Sequence, residues 1–146
     1  MSASELDAEA IVAIEQLLAR YGHVVDDGDL DGLASVFTED GAFDIGEFGQ
    51  GVHRGLAAIR AIFALGSPPH PPAHLTTNVY VTRVQSEVRV RSKWLTISRS
   101  TGTVRSGDYD DVVVLTPNGW RIQTRVVRIR FYSGDAVPIE QPRETL

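Results

Sequence analysis

Apolar residues recur every three or four positions between residues 11 and 21, from Ile11 to Tyr21. This spacing is typical of an amphipathic helix, and Ser4 lies ahead of it as a capping residue. Gly28 follows as a natural helix end. The sequence therefore predicts a first helix over residues 4–27.

Shorter elements follow this helix. Apolar spacing predicts a second helix over residues 30–37, and a short strand is predicted over residues 42–45. Glycines between residues 46 and 51 predict a hairpin-like loop. A third helix is predicted to begin near Leu56 and to end at Gly66.

The periodicity changes to two after the proline-rich segment 67–72, which cannot be helical because proline lacks a backbone N–H donor. Four strands are predicted, over residues 74–84, 88–99, 104–116 and 120–131. Three helices followed by antiparallel strands indicate an α+β fold with a curved sheet wrapped over the helices. We expect one domain over residues 1–146, with its core at about 4–132 and a tail over 133–146.

The composition narrows the possible chemistry. The chain has 146 residues, no cysteine, four histidines and a net charge of −5, with 42% hydrophobic residues. Absence of cysteine excludes disulfides, thiolate nucleophiles and iron–sulfur clusters. No apolar run approaches the roughly 18 residues of a membrane span, and the acidic first 30 residues are unlike a signal peptide. We therefore expect a cytoplasmic protein without a membrane partner.

Charge is distributed unevenly along the chain. Residues 1–80 carry 12 acidic and three basic side chains, whereas residues 81–146 carry seven acidic and 11 basic ones. A basic half is one indication of nucleic-acid binding. The basic residues, however, are spread along strands without forming a cluster, which favours attraction between two halves of one domain. We expect no nucleic-acid partner.

Two segments carry polar residues at positions that suggest a site. Asp26 lies near the end of the helix whose apolar residues include Leu17 and Tyr21, so its carboxylate can face the interior and would there need a partner. His74, Asn78 and Tyr80 alternate on one face of the first long strand. That face is either exposed to solvent or lines a wet cavity inside the curved sheet.

The sequence resembles a known family at these positions. Tyr21, Asp26 and the segments 28–41, 74–78 and 118–122 resemble SnoaL-like proteins of the nuclear-transport-factor-2-like superfamily. The branch that it most resembles contains scytalone dehydratase, bile-acid 7α-dehydratase and hexachlorocyclohexane dehydrochlorinase. This resemblance implies a cone-shaped α+β barrel with three helices packed in a mostly antiparallel sheet.

The resemblance also implies a reaction. Enzymes of this branch eliminate water or HCl with an Asp–His pair, and Asp26 and His74 occupy the matching places. His74 would be the general base, Asp26 would orient its ring and stabilise the imidazolium, and Tyr21 would donate to a substrate oxygen. The implied function is a cofactor-independent lyase or proton-transfer isomerase acting on a hydrophobic cyclic molecule such as a steroid or polyketide. The alternative is a binding or assembly protein with the same fold.

Further candidates complete the predicted site. Many dehydratases of this group carry a second His or Asp on the next strand, but residues 96–99 contain neither. Asp108, Tyr109 or water would have to assist His74. The candidate substrate-binding residues are Asn78, Tyr80, Tyr109, Arg128 and Phe43. We predict no metal site, because prolines separate His70 from His74 and prevent a helical His pair.

Self-association is predicted from the strands. Trp94, Leu95, Ile97, Val113 and Leu115 suggest an apolar sheet face too large for a monomer. The resemblance allows a trimer or a dimer, and the sequence does not decide between them.

Overall fold

The structure is a computed structural model that describes residues 6–65, 73–98 and 101–132, with side chains up to Arg130. Ser4, the proline-rich connector with His70, and the tail from residue 133 lie outside the described residues.

The first helix, α1, spans Ala8–Asp26. Its cap is Asp7, whose carboxylate accepts a hydrogen bond from the backbone N–H of Ala10 at 2.8 Å. The helix therefore begins four residues later than predicted. Its buried face contains the predicted apolar residues Ile14, Leu17, Leu18 and Tyr21. The structure adds Val24 and Val25, which extend this face by one turn toward Asp26.

The next segment differs from the prediction. The expected helix over 30–37 is a single 3-10 turn at Gly32–Ser35, and strand β1 already begins at Phe37 and runs to Asp44. Phe37 is fully buried and pairs with Ile122 of the last strand in parallel orientation, so tertiary packing draws the chain into an extended form. The remaining elements here are a 3-10 turn at Gly46–Phe48, strand β2 at Val52–Arg54 and helix α2 at Leu56–Leu65.

Four long strands form most of the sheet: β3 (His74–Val84), β4 (Glu87–Ile97), β5 (Val104–Thr116) and β6 (Gly119–Tyr132). All four lie within two residues of their predicted bounds. The order across the sheet is β2-β1-β6-β5-β4-β3. Every pairing is antiparallel except that of β1 with β6. The α+β class is confirmed, with two α-helices and a 3-10 turn in place of three helices.

The helices and the sheet enclose a single core among the described residues. Helix α1 packs on β3 and β6, and α2 packs on β1 and β2. The prediction of an exposed apolar face needs correction, because Trp94 and Val113 are buried in this core. Ile97 and Leu115 are exposed, at 41% and 67%. Self-association as a trimer or dimer stays a prediction.

In the part of the chain that the structure describes, no helix is long and apolar enough to cross a membrane. A cytoplasmic location stays a prediction.

Candidate active site

The C-terminal end of α1 meets the first residue of β3. The two elements approach closely at Gly22, where an added Cβ atom would lie 2.9 Å from the carbonyl oxygen of His74. A glycine here lets the strand pass directly beside the helix. Asp26, one turn further along α1, is thereby brought beside the ring and the backbone of His74.

Asp26 holds His74 through two hydrogen bonds. Its Oδ1 lies 2.5 Å from the ring Nδ1 of His74, and its Oδ2 accepts from the backbone N–H of the same residue at 2.8 Å. The side chains of His74 and Asp26 are only 11% and 18% exposed. One carboxylate therefore fixes both the position of the strand and the orientation of the ring.

This arrangement has a direct chemical consequence. When the Nδ1–H of a neutral His74 ring donates a hydrogen bond to the Asp26 carboxylate, Nε2 is unprotonated and can accept a proton. A carboxylate at the C-terminal end of a helix is disfavoured by the helix dipole, and the two hydrogen bonds from His74 offset that cost. The negative charge also stabilises an imidazolium once Nε2 has accepted a proton.

His74 lines an inner cavity of about 310 Å³ between the helices and the face of the sheet on which they pack. This volume is at the lower end of the range for small-molecule sites, which is roughly 300–1,000 Å³. The lining is mostly apolar and aromatic. The other lining residues are Tyr21, Phe43, Ile45, Phe48, Gln50, Ile62, Phe63, Trp94, Thr96, Arg105, Tyr109 and Val127.

Two buried tyrosines lie beside His74 in this lining. The ring centroids of Tyr21 and His74 are 6.2 Å apart, and those of Tyr21 and Tyr109 are 5.7 Å apart, both with edge-to-face geometry. Burial raises the pKa of Tyr21, with the Arg125 cation opposing it, and burial raises the pKa of Tyr109 well above its ordinary value. Both phenols are therefore neutral at physiological pH and keep their O–H donors.

The buried ion pair of Arg125 and Asp111 packs against the two tyrosine rings. The guanidinium of Arg125 lies 4.1 Å from the ring centroid of Tyr21 and 3.9 Å from that of Tyr109. It also donates to Asp111 twice, at 2.8 and 2.7 Å, and both side chains of this pair have no exposed surface. Burial lowers the pKa of Arg125, but the Asp111 carboxylate outweighs this effect and leaves that pKa above its ordinary value.

The sequence reasoning missed this pair. One signal was available: Asp111 shares the inward-facing alternation of β5 with Tyr109 and Val113, so its burial could have been inferred. The identity of its partner could not, because simple alternation along β6 from the buried Ile122 leaves Arg125 on the opposite face.

The predicted substrate-binding residues fall into two groups. Phe43 and Tyr109 line the inner cavity together with Tyr21 and His74. Asn78 and Tyr80 do not, and Tyr80 is 68% exposed. The pairing of β3 with β4 shifts between Thr77 and Tyr80, and Asn78 has a positive φ of 53°. This bulge reverses the alternation, so Tyr80 faces away from the cavity that His74 lines.

Arg128 is likewise outside the cavity. Its half-exposed side chain donates to Asp110 at 3.0 Å and to Glu47 at 3.3 Å. Asp108, a candidate assistant acid, bonds instead to Lys93 and Arg130 and is absent from the cavity lining. Of the two assistants considered in the sequence, only Tyr109 lies in the cavity.

Several lining residues had no signal in the sequence. Trp94 was expected on the self-associating face of the sheet, and Thr96 and Arg105 were not identified as site residues. Thr96 pairs directly with His74 across β3 and β4, and Arg105 pairs with Thr96 across β4 and β5. Within the described ranges no group of three or more His, Asp or Glu side chains is arranged to hold a metal ion.

Comparison with known proteins gives the family. The model of the SnoaL-like domain matches residues 7–126. No curated protein matches the chain significantly.

Three similar solved structures carry different functional descriptions. A candidate aromatic ring hydroxylase from Novosphingobium aromaticivorans is 28% identical, with a TM-score of 0.72 over 88% of this chain and 95% of the other. A candidate scytalone dehydratase from Novosphingobium aromaticivorans is 24% identical, with a TM-score of 0.71 over 90% and 93%. A type 2 hexachlorocyclohexane dehydrochlorinase is 17% identical, with a TM-score of 0.71 over 86% and 88%.

These structures share the fold while their descriptions differ in reaction class, and similarity at 24% or 17% identity shows the fold alone. The family assignment rests on the domain match, which covers the whole of α1, the dyad and most of the cavity lining. This chain belongs to the SnoaL-like domain family.

Proposed function

We propose that this protein is a cofactor-independent enzyme that removes a proton from a carbon atom of a hydrophobic cyclic small molecule. The observation that carries the proposal is the Asp26–His74 pair, held by a 2.5 Å hydrogen bond at the wall of an apolar cavity. Names such as dehydratase and dehydrochlorinase among the similar structures describe elimination reactions, in which a proton is lost from a carbon atom.

In the proposed reaction, Nε2 of His74 accepts a proton from a carbon next to a substrate carbonyl. The electron pair of the broken C–H bond moves onto the carbonyl oxygen and forms an enolate, while Asp26 stabilises the imidazolium. The neutral phenol of Tyr21 or Tyr109 donates a hydrogen bond to the developing oxyanion.

The enolate then has two outcomes. In an elimination the enolate reforms the carbonyl, and a double bond forms as a hydroxyl group leaves the carbon next to the one that lost its proton. The His74 imidazolium protonates that hydroxyl group, so that it leaves as water. In an isomerisation the imidazolium returns the proton to a different carbon. On the strand beside His74, the described lining contains Thr96 but no carboxylate and no second histidine that could act as a separate acid. His74 would therefore act first as base and then as acid in either outcome.

The lining also supports the substrate class. Phe43 and Phe63 stack at 5.2 Å between ring centroids, and Trp94 stacks on Tyr109 at 6.2 Å. Flat aromatic walls around a cavity of about 310 Å³ suit a compact ring system with one or a few polar groups.

The proposal is tested by proton exchange. The protein is incubated in D2O with 1-tetralone, and deuterium uptake at the carbon beside the carbonyl is followed by NMR. We expect His74→Ala to slow exchange by about 10²–10⁴-fold, with partial rescue by added imidazole, and Asp26→Asn to slow it as well. Dehydration of 3-hydroxycyclohexanone to cyclohexenone, followed by absorbance, distinguishes elimination from isomerisation.

The matched control is His23→Ala, which removes an exposed histidine from the same helix without touching the inner cavity. It should leave exchange unchanged. If 1-tetralone binds in the cavity but exchanges no faster than in buffer, the protein is a small-molecule binder, which is the alternative considered for this fold. Equal exchange by wild type and His74→Ala would remove His74 from the mechanism.

A further inference from the structure

Three residues with polar side chains form one row across the sheet at the inner cavity. His74 of β3 pairs with Thr96 of β4, and Thr96 pairs with Arg105 of β5. Residues directly opposite each other on antiparallel strands point to the same face. All three residues line the cavity. With strands about 4.8 Å apart, the backbone of Arg105 lies about 10 Å from that of His74.

Arg105 differs from the rest of the lining in charge. It is the one permanently charged side chain among the described lining residues, and it is exposed, whereas Thr96 beside it is buried. The neighbouring positions are mainly apolar or aromatic, with Gln50 as a neutral polar exception. A guanidinium in the lining of an apolar cavity is well suited to bind a carboxylate in a bidentate manner.

The net charge of the protein opposes the binding of an anion, so the local charge of Arg105 is relevant to ligand choice. The net charge is −5, so the overall field of the protein repels an anion. An acidic ligand that enters this cavity therefore needs a local positive group. On the described part of the lining, Arg105 supplies it.

We propose that Arg105 binds an acidic substituent of the substrate, so that the natural substrate is a hydrophobic ring compound carrying a carboxylate. Thr96 lies between Arg105 and His74 in the row and offers a hydroxyl donor along the same path. A carboxylate held by Arg105 directs the ring toward Nε2 of His74. The direction toward His74 rests on the proposed function, whereas recognition of the acid by Arg105 does not depend on turnover.

The test compares two probes that have the same ring system and differ in charge, 2-naphthoate and 2-naphthamide. Binding is followed by quenching of tryptophan fluorescence, because Trp94 lines the cavity, and is confirmed by calorimetry. At low ionic strength we expect the wild type to bind naphthoate about tenfold more tightly than naphthamide. Added salt should reduce this preference.

Variants of Arg105 separate its role from effects on folding. Arg105→Gln should abolish the preference for naphthoate while leaving naphthamide binding within about twofold, and Arg105→Lys should retain part of the preference. Arg83→Gln is the matched control, because it removes an exposed arginine near the opposite end of β3 and lowers the net charge equally. It should leave the preference intact.

Three results would overturn the inference: no preference for naphthoate in the wild type, no binding of naphthoate at all, or a preference that survives Arg105→Gln. The last result would mean that another group recognises the carboxylate. His74→Ala distinguishes this failure from failure of the proposed reaction, because it should keep the naphthoate preference. Binding with the expected preference but without proton exchange refutes only the proposed reaction.

Discussion

Replacing Asp111 with asparagine should destabilise the protein strongly, although the two side chains have nearly the same shape. The substitution removes the negative charge that faces Arg125 and leaves the guanidinium buried without a counter-ion. We expect Asp111→Asn to lower the free energy of unfolding by about 3 kcal/mol or more. Since domains of this size are stable by only about 5–15 kcal/mol, this is a large fraction of the total.

The magnitude follows from burial and geometry. Neither side chain of the pair has exposed surface, and both bonds between them are short, at 2.8 and 2.7 Å. Removing one partner of such a buried pair costs about 3–5 kcal/mol. The cation–π contacts of Arg125 with Tyr21 and Tyr109 are already present in the wild type, so they do not offset this loss. The Nη1 atom of Arg125 has no hydrogen-bond partner among the described residues, so the cation has no second anion to replace Asp111.

The assay is urea unfolding followed by circular dichroism, applied to a double-mutant cycle. Arg125→Met and Asp111→Asn are measured alone and together. The double variant should lose less stability than the sum of the single variants, because it contains no unpaired buried charge. A loss below about 1 kcal/mol for Asp111→Asn, or strictly additive losses, would refute the reasoning.

Other predictions concern pH and close packing. Burial raises the pKa of Tyr109 above the ordinary 10.0, so the folded protein favours the neutral phenol. The stability that depends on this phenol should persist up to about pH 10 and fall above it. Tyr109→Phe should reduce this alkaline loss of stability in thermal melts. For Asp108, burial raises the pKa, but Lys93 and Arg130 lower it by more, so the pKa lies below the ordinary 3.8. The charged carboxylate therefore stabilises the fold at higher pH, and this stabilisation is lost as the pH falls below 3.8. Asp108→Asn should weaken this acid dependence in thermal melts. Gly22→Ala should reduce exchange with 1-tetralone without altering any catalytic group, because its Cβ atom would push β3 away from α1. Unchanged exchange in a folded Gly22→Ala protein would show that the dyad tolerates this displacement.

Local periodicity predicts elements well wherever one face of the element is buried continuously. Strands β3 and β5 have the predicted ends, and the first helix ends one residue before its predicted end, because apolar spacing and flanking turn residues act within a few positions. The segment 30–37 was predicted wrongly. Its apolar residues are buried, but Phe37 is extended because it pairs with Ile122, about 85 residues further along the chain.

Asp26 and His74 could be proposed from the sequence because each lies at an element end that the sequence marks. Helix α1 ends at Asp26 ahead of Gly28, and β3 begins at His74 after the prolines. Family resemblance then paired two residues that are 48 positions apart. Their 2.5 Å contact depends on the close approach at Gly22, which only the packed structure reveals.

The faces of the strands were decided by tertiary structure. In β3 the bulge at Asn78 turns Tyr80 outward, and in β6 the register shift opposite Val112 and Val113 turns Arg125 inward and Arg128 outward. One extra residue in a strand exchanges its two faces, and simple alternation does not reveal where it is inserted. The sequence therefore determined the α+β class and most element boundaries, and through the family resemblance it proposed the two residues of the dyad. The folded sheet determined which side chains surround that dyad, because strand register depends on partners far away in the chain.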